Sequence, residues 1–275
     1  MLPRCLCDEG LGDEDGWVEC LGDKYRCEMS RRHFFIGWSP ASARPIAAFL
    51  AAVVVSGLIG LGGLAMALGS RVDDPGAGDI TGDRVLTGML VEFPYPVLVL
   101  DPDETYPAGH AVLLSGGGKR GVQGEAAKLA GQRLQISGTG VRRGSIDMLL
   151  VGEMKAAPAS ASGPPQAPAL VPMGEWRLTG EICDGKCVTG VMRPGNGLAH
   201  KACANVCIMG GVPPVLVTTS KVAGTNFLLM GDPAGKALPD AFRDHVGLPR
   251  QMEGTVERIA DLLIFRTDVS RAVVP

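Results

Sequence analysis

Four side chains able to hold a metal ion fall between positions 187 and 207: Cys187, His200, Cys203 and Cys207. His200, Cys203 and Cys207 are spaced i, i+3 and i+7, which sets three side chains on one face of an α-helix. Cys187 closes the set from upstream. Three thiolates and one imidazole form a common tetrahedral zinc set. Copper(I) and iron are the alternatives for such donors, and the nearby thioethers of Met192 and Met209 are of the kind copper favours. Lys186 and Lys201, next to the cysteines, would favour thiolate. Cys183 is an extra ligand or a disulfide partner. Under oxidising conditions, cross-pairs from Cys183 and Cys187 to Cys203 and Cys207 would staple the segment. Cys203 and Cys207, on successive turns of one helix, are poorly placed to bond each other. Metal and disulfide both remain open from the residues, with His200 on the cysteine face favouring metal.

Other chemistries find less support. The cysteine pairs are C-x-x-x-C, without the C-x-x-C of thiol–disulfide enzymes or the C-x-x-C-H of haem attachment. Gly116–Gly117–Gly118–Lys119–Arg120 lacks the spacing and following Ser/Thr of a phosphate loop, so it reads as a hairpin turn. His110 and His245 have no evident partners, Asp184 and Asp261 form no paired-carboxylate constellation, and no hydrolase triad emerges. The residues favour a binding module over an enzyme, with no catalytic residue assigned. The net charge is only −3 and aromatic residues are 5% of the chain. With no basic stripe and no aromatic–basic interleaving, a nucleic-acid partner is not expected.

The compartment bears on the cysteines, and residues 46–68 bear on the compartment. This stretch is apolar apart from Ser56 and long enough to cross a bilayer core of roughly 30 Å. Arg31, Arg32 and Arg44 precede it, while Arg71, Asp73 and Asp74 follow. The positive-inside bias predicts a single pass through a bacterial inner membrane, the N-terminus cytoplasmic and the C-terminal domains periplasmic. Ser30–Phe35 also resembles a twin-arginine export signal, and Ala65-Met66-Ala67 a cleavage site. The long apolar run, set apart from the arginines by Pro40 and Pro45, favours an uncleaved anchor. Residues 1–45 are then a cytoplasmic leader. Within it Cys5, Cys7, Cys20 and Cys27 match no metal template, and residues 1–28, before Met29, read as a disordered or non-native leader.

Downstream, two segments look alike. Arg84–Leu90 (RVLTGML) parallels Trp176–Ile182 (WRLTGEI), and Gln135–Thr139 (QISGT) parallels Gln251–Thr255 (QMEGT). Matching starts and ends suggest an internal repeat. In the first unit (80–152) strands are expected at 85–92, 96–100 and 111–114, a short helix at 124–130, and closing strands at 133–141 and 145–151. In the second (174–272) the strands are 176–182, 214–219 and 226–230, a short helix 238–246, then 251–259 and 262–269. Three strands, a helix and two strands is the order of an OB-like five-stranded barrel. The expected fold class is therefore mainly β: a transmembrane helix followed by two tandem OB-like barrels. The Ala/Pro/Ser-rich stretch at 153–173 reads as a linker. All the candidate ligands lie in an insertion between the first and second strands of the second unit.

The segment Gly180–Leu216, with its pattern C-(x)12-H-x-x-C-A-x-x-C and following G-x-P-P, resembles a recurrent segment of little-characterised bacterial membrane-anchored or exported proteins. Phe34–Trp38 and Gly118–Gly121 also look like parts of that group. The resemblance implies Cys187, His200, Cys203 and Cys207 as motif positions, with Cys183 an extra, and names no chemistry. The expectation is a membrane-anchored periplasmic binding or assembly module with a Cys3His metal site, an accessory subunit of a membrane complex. The bilayer and a membrane protein are its expected partners. A periplasmic redox, electron-transfer or metal-handling protein, or a disulfide-stapled interaction domain, is the alternative.

Overall fold

The computed structural model describes residues 18–20, 23–25, 34–36, 39–41, 43–70, 72–101, 106, 109–158 and 168–275. Most of the leader, including Cys5, Cys7 and Cys27 and the arginine pair at 31–32, lies outside the described residues, as does the side chain of Cys20. Two short backbone hairpins come first, β1 (Val18–Cys20) with β2 (Asp23–Tyr25) and β3 (Phe34–Ile36) with β4 (Ser39–Ala41).

The apolar run forms α1 (Ala43–Gly69), a few residues longer than the expected 46–68. Pro45 falls in its first turn, where a missing N–H costs nothing. Arg44–Gly69 is long and apolar enough to cross a membrane, and none of its most apolar window is buried within the described structure.

Residues 69–275 form a separate compact unit containing two closed five-stranded barrels. The first comprises β5 (Asp79–Glu92), β6 (Pro96–Leu100), β7 (Ala111–Ser115), the short α2 (Gln123–Ala126), β8 (Arg133–Arg143) and β9 (Ile146–Ala156). The second comprises β10 (Leu170–Asp184), then, after the insertion, β11 (Pro214–Val222), β12 (Thr225–Gly231), β13 (Pro249–Ile259) and β14 (Leu262–Thr267). In each barrel the spatial order is first, second, third, fifth, fourth strand. The third and fifth pair in parallel, and every other neighbouring pair is antiparallel. This is the expected OB-like order.

The strands run further than their apolar residues alone suggest. β10 starts at Leu170, so Leu170–Pro172, expected in the linker, pair with β13. The second unit's expected helix at 238–246 is a tight helical turn, Asp240–Asp244.

The runs PVLVL, AVLLS and NFLLM are apolar on both strand faces because both are buried. Alternate residues fill the barrel interiors: Leu90, Leu98 and Leu114 in the first, Leu216, Leu228 and Phe265 in the second. The intervening residues Val97, Val99 and Leu113 meet Val215, Leu229 and Ile264 in a third core between the barrels. At about 1.5–3 kcal/mol per fully buried aliphatic side chain, this seam fixes one barrel against the other. It thereby places loops of the first barrel beside the insertion of the second.

Candidate metal centre

The site starts at the end of β10. Asp184 is the last residue of that strand and is fully buried. Its Oδ1 accepts the Cys187 N–H at 2.8 Å, an N-cap contact for the helical turn that begins at Gly185. The turn continues through Cys187–Val191, the chain loops back, and Leu198–His200 leads into α3 (Lys201–Met209). One face of α3 places Ala204 and Ile208 in the second barrel's core. Another packs Cys203 and Cys207 against Cys187 and Val212. Gly210 and Gly211 end the helix as the sequence suggested; Gly211 takes the left-handed φ of +92° that favours glycine.

The Sγ atoms of Cys187, Cys203 and Cys207 lie within 4.8 Å of one another. Met192 Sδ is 4.0 Å from Cys187 Sγ and 3.7 Å from Cys203 Sγ, whereas Met209 is largely exposed. His200 belongs to a second set, with ligating atoms of Asp184 and Cys187 all within 4.8 Å. Its Nε2 is 3.0 Å from Asp184 Oδ2. The spacing predicted it on the helix face shared by Cys203 and Cys207; instead it ends the short turn Leu198–His200 just before α3, and its ring turns to the carboxylate. Cys183 joins neither set. It lies in β10 and is buried in the core between the barrels, with Sγ 3.4 Å from Glu181 Oε1. The four cysteines whose side chains are described are free thiols.

The thiols are not equivalent. The hydrogen bond between Cys187 and Cys207 pushes Cys187 up, helped by burial and by Asp184. The same bond pulls Cys207 below its ordinary value against the cost of burial. Cys207 therefore gives up its proton more readily than Cys187. Burial, then the charge of Glu181, holds Cys183 well above the thiol range, which disfavours it as a thiolate ligand.

Two lysines serve the cluster, and one comes from the other barrel. Lys119 Nζ donates to Cys203 Sγ at 3.3 Å, a bond that raises the lysine's pKa. Lys186 is buried and donates to Gly116 O at 2.5 Å and Gly118 O at 2.6 Å. Burial lowers its pKa, while the charges of Cys207, Cys187 and Asp184 act the other way. Lys201, expected to assist the thiols, instead reaches Asp244 O at 2.8 Å.

The Gly-rich segment is a turn, closed by Gly116 N–H to Arg120 O at 2.9 Å. Its tertiary role is to dock on the end of α3. Gly121 N–H donates to Gly210 O at 2.8 Å, and the Gln123 amide donates to Gly211 O. The approach leaves no room for side chains: a Cβ on Gly210 would lie 1.9 Å from Lys119 O.

A second polar cluster ties the barrels together at His110, for which the sequence offered no partner. Its Nδ1 is 2.7 Å from Asp261 Oδ2 and its Nε2 3.0 Å from Asp147 Oδ2. Asp261 also accepts the Ala111 N–H at 2.8 Å, Arg142 pairs with Asp147, and Tyr106 stacks on the imidazole. Burial opposes the imidazolium, but the two carboxylates outweigh it and raise His110 to about 9. His245 is held below its ordinary value by burial and by Arg250, whose Nε donates to it at 3.1 Å.

Comparison with protein-family models, curated proteins and solved structures finds no match to this chain.

Proposed function

We propose that this protein is a membrane-anchored metal-binding module whose two barrels lie outside the cytoplasm, in the periplasm of a bacterial cell. The observation that carries the reading is the convergence of Cys187, Cys203 and Cys207, all free thiols within 4.8 Å of one another. Outside the cytoplasm, thiols at such separations oxidise unless something occupies them, and a thiophilic ion does so. Zinc, copper(I) and iron all accept such a donor set. His200 and Asp184 buttress the set through Cys187 and stand next in line as ligands.

The placing of the barrels rests on Arg31, Arg32 and Arg44 at the N-terminal side of the apolar run against Arg71, Asp73 and Asp74 on the other, and on the resemblance of Gly180–Leu216 to exported bacterial proteins. The shared strand order supports reading the barrels as copies of one unit, with the cluster added to the second. The uncovered apolar surface of α1 suits lipid and lateral contact with another membrane protein, as an accessory subunit would require.

Metal analysis of the full chain in detergent, with thiol counting before and after chelation, tests the reading. One ion per chain is expected, with Cys187, Cys203 and Cys207 shielded from alkylation until the chelator is added. Ion-free folded protein with these cysteines oxidised in disulfides would overturn it in favour of a stapled interaction domain.

A further inference from the structure

A fourth sulfur stands at ligand distance from the thiol cluster. An ion about 2.3 Å from each sulfur holds neighbouring sulfurs about 3.8 Å apart in tetrahedral coordination and about 4.0 Å apart in trigonal coordination. Met192 Sδ lies 4.0 Å from Cys187 Sγ and 3.7 Å from Cys203 Sγ, the separations that a shared ion imposes. A thioether is a poor donor to zinc and a good one to copper(I). The imidazole that would complete a usual zinc set stands with Asp184 and Cys187, outside the set formed by the three thiols.

The cluster also meets a cation from the other barrel: Lys119 donates to Cys203, and Lys186 is anchored on the turn that carries Lys119. Accessibility is also uneven. Cys187 and Cys207 are buried, Cys203 is half-buried and Met192 is 49% exposed. The ion would enter and leave past the thioether and Cys203, which suits transfer to another soft-ligand carrier better than permanent structural binding.

We infer that Cys187, Cys203, Cys207 and Met192 form a copper(I) site, open at Met192 and bordered by Lys119 from the first barrel. This rests on the proposed thiol metal site and specifies its ion. Binding displaces the remaining thiol protons to solvent and changes no oxidation state.

The test is competition for copper(I) between the full chain in detergent and a chromophoric copper(I) chelator, for wild type and Met192→Leu, alongside cadmium(II) titration followed by thiolate charge-transfer absorption. Met192 is exposed, so the variant is expected to fold. It should bind copper(I) at least about tenfold more weakly, a loss that even removal of an outer-shell partner commonly causes, with cadmium binding unchanged. Equal copper(I) affinity in the two proteins, or displacement of copper(I) by equimolar zinc(II), would overturn the copper assignment while leaving a thiol metal site standing. Failure of wild type to bind copper(I) or cadmium(II) would overturn both.

Discussion

The two barrels share a strand order and differ between their first and second strands. In the first barrel β5 reaches β6 through residues 93–95; in the second β10 reaches β11 only after residues 185–213. The first barrel closes around its own aliphatic core with the short connection, so this topology does not require the long one. The insertion nonetheless depends on the first barrel. Its buried Lys186 finds hydrogen-bond acceptors in the carbonyls of Gly116 and Gly118, and Cys203 finds its cation in Lys119. The plain barrel thus serves as one wall of the site that its neighbour carries.

The largest test of this division removes a sulfur. With ion present at about 100-fold its Kd, binding contributes about 2.7 kcal/mol to stability. Cys207→Ser should lose that increment along with stoichiometric ion, and hydrogen exchange should show the loss in α3 and β10 while β5–β9 keep their protection. Loss of protection in both barrels would mean that the first is not independent of the site.

The contact between barrels should itself depend on pH through His110. Its ordinary pKa is 6.5 and its folded value about 9. A raised folded pKa means the stabilisation is fully present below pH 6.5 and is lost as pH rises through about 9. The facing groups are Asp147, Asp261, Arg142 and Tyr106. Asp147→Asn should cost about 2 kcal/mol, less than the roughly 3–5 of a fully buried pair because His110 keeps Asp261 and can shed its proton. The variant should also flatten the decline between pH 6.5 and 9 in denaturation midpoints.

Gly210→Ala tests the close approach of the Gly116–Gly121 turn. The added methyl meets Lys119 O and should cost about 1–2 kcal/mol as overpacking, with faster alkylation of Cys203 as the turn lifts away. The smallest effect is expected from Lys119→Met. It removes one of the two cations and leaves the fold unchanged, so ion affinity should fall by less than about tenfold. If affinity is unchanged, the first barrel contributes packing to the site but no electrostatics.

Much of the fold was legible because local pattern governs it. Apolar runs bounded by Gly and Pro, with matching starts and ends, gave the strands and the two barrels. An uninterrupted apolar stretch gave α1. The i, i+3, i+7 spacing and the Gly210–Gly211 stop gave α3 and the placing of Cys203 beside Cys207. His200 showed the limit of that reasoning: spacing puts a residue on a helix face, whereas the buried carboxylate of Asp184, sixteen positions earlier, decides where its ring points.

What the sequence by itself determined are the elements, their order and the residue types able to bind a soft ion, since these follow from hydrophobic period, turn residues and donor chemistry along the chain. Only the tertiary structure decided which donors meet. The seam between the barrels brings Lys119 to Cys203 across 84 positions and joins His110 to Asp261 across 151. The fold of the insertion sets Met192 beside two thiols and leaves Cys183 buried against Glu181. Such contacts depend on which strand faces pack against each other, and nothing in the neighbouring sequence encodes that.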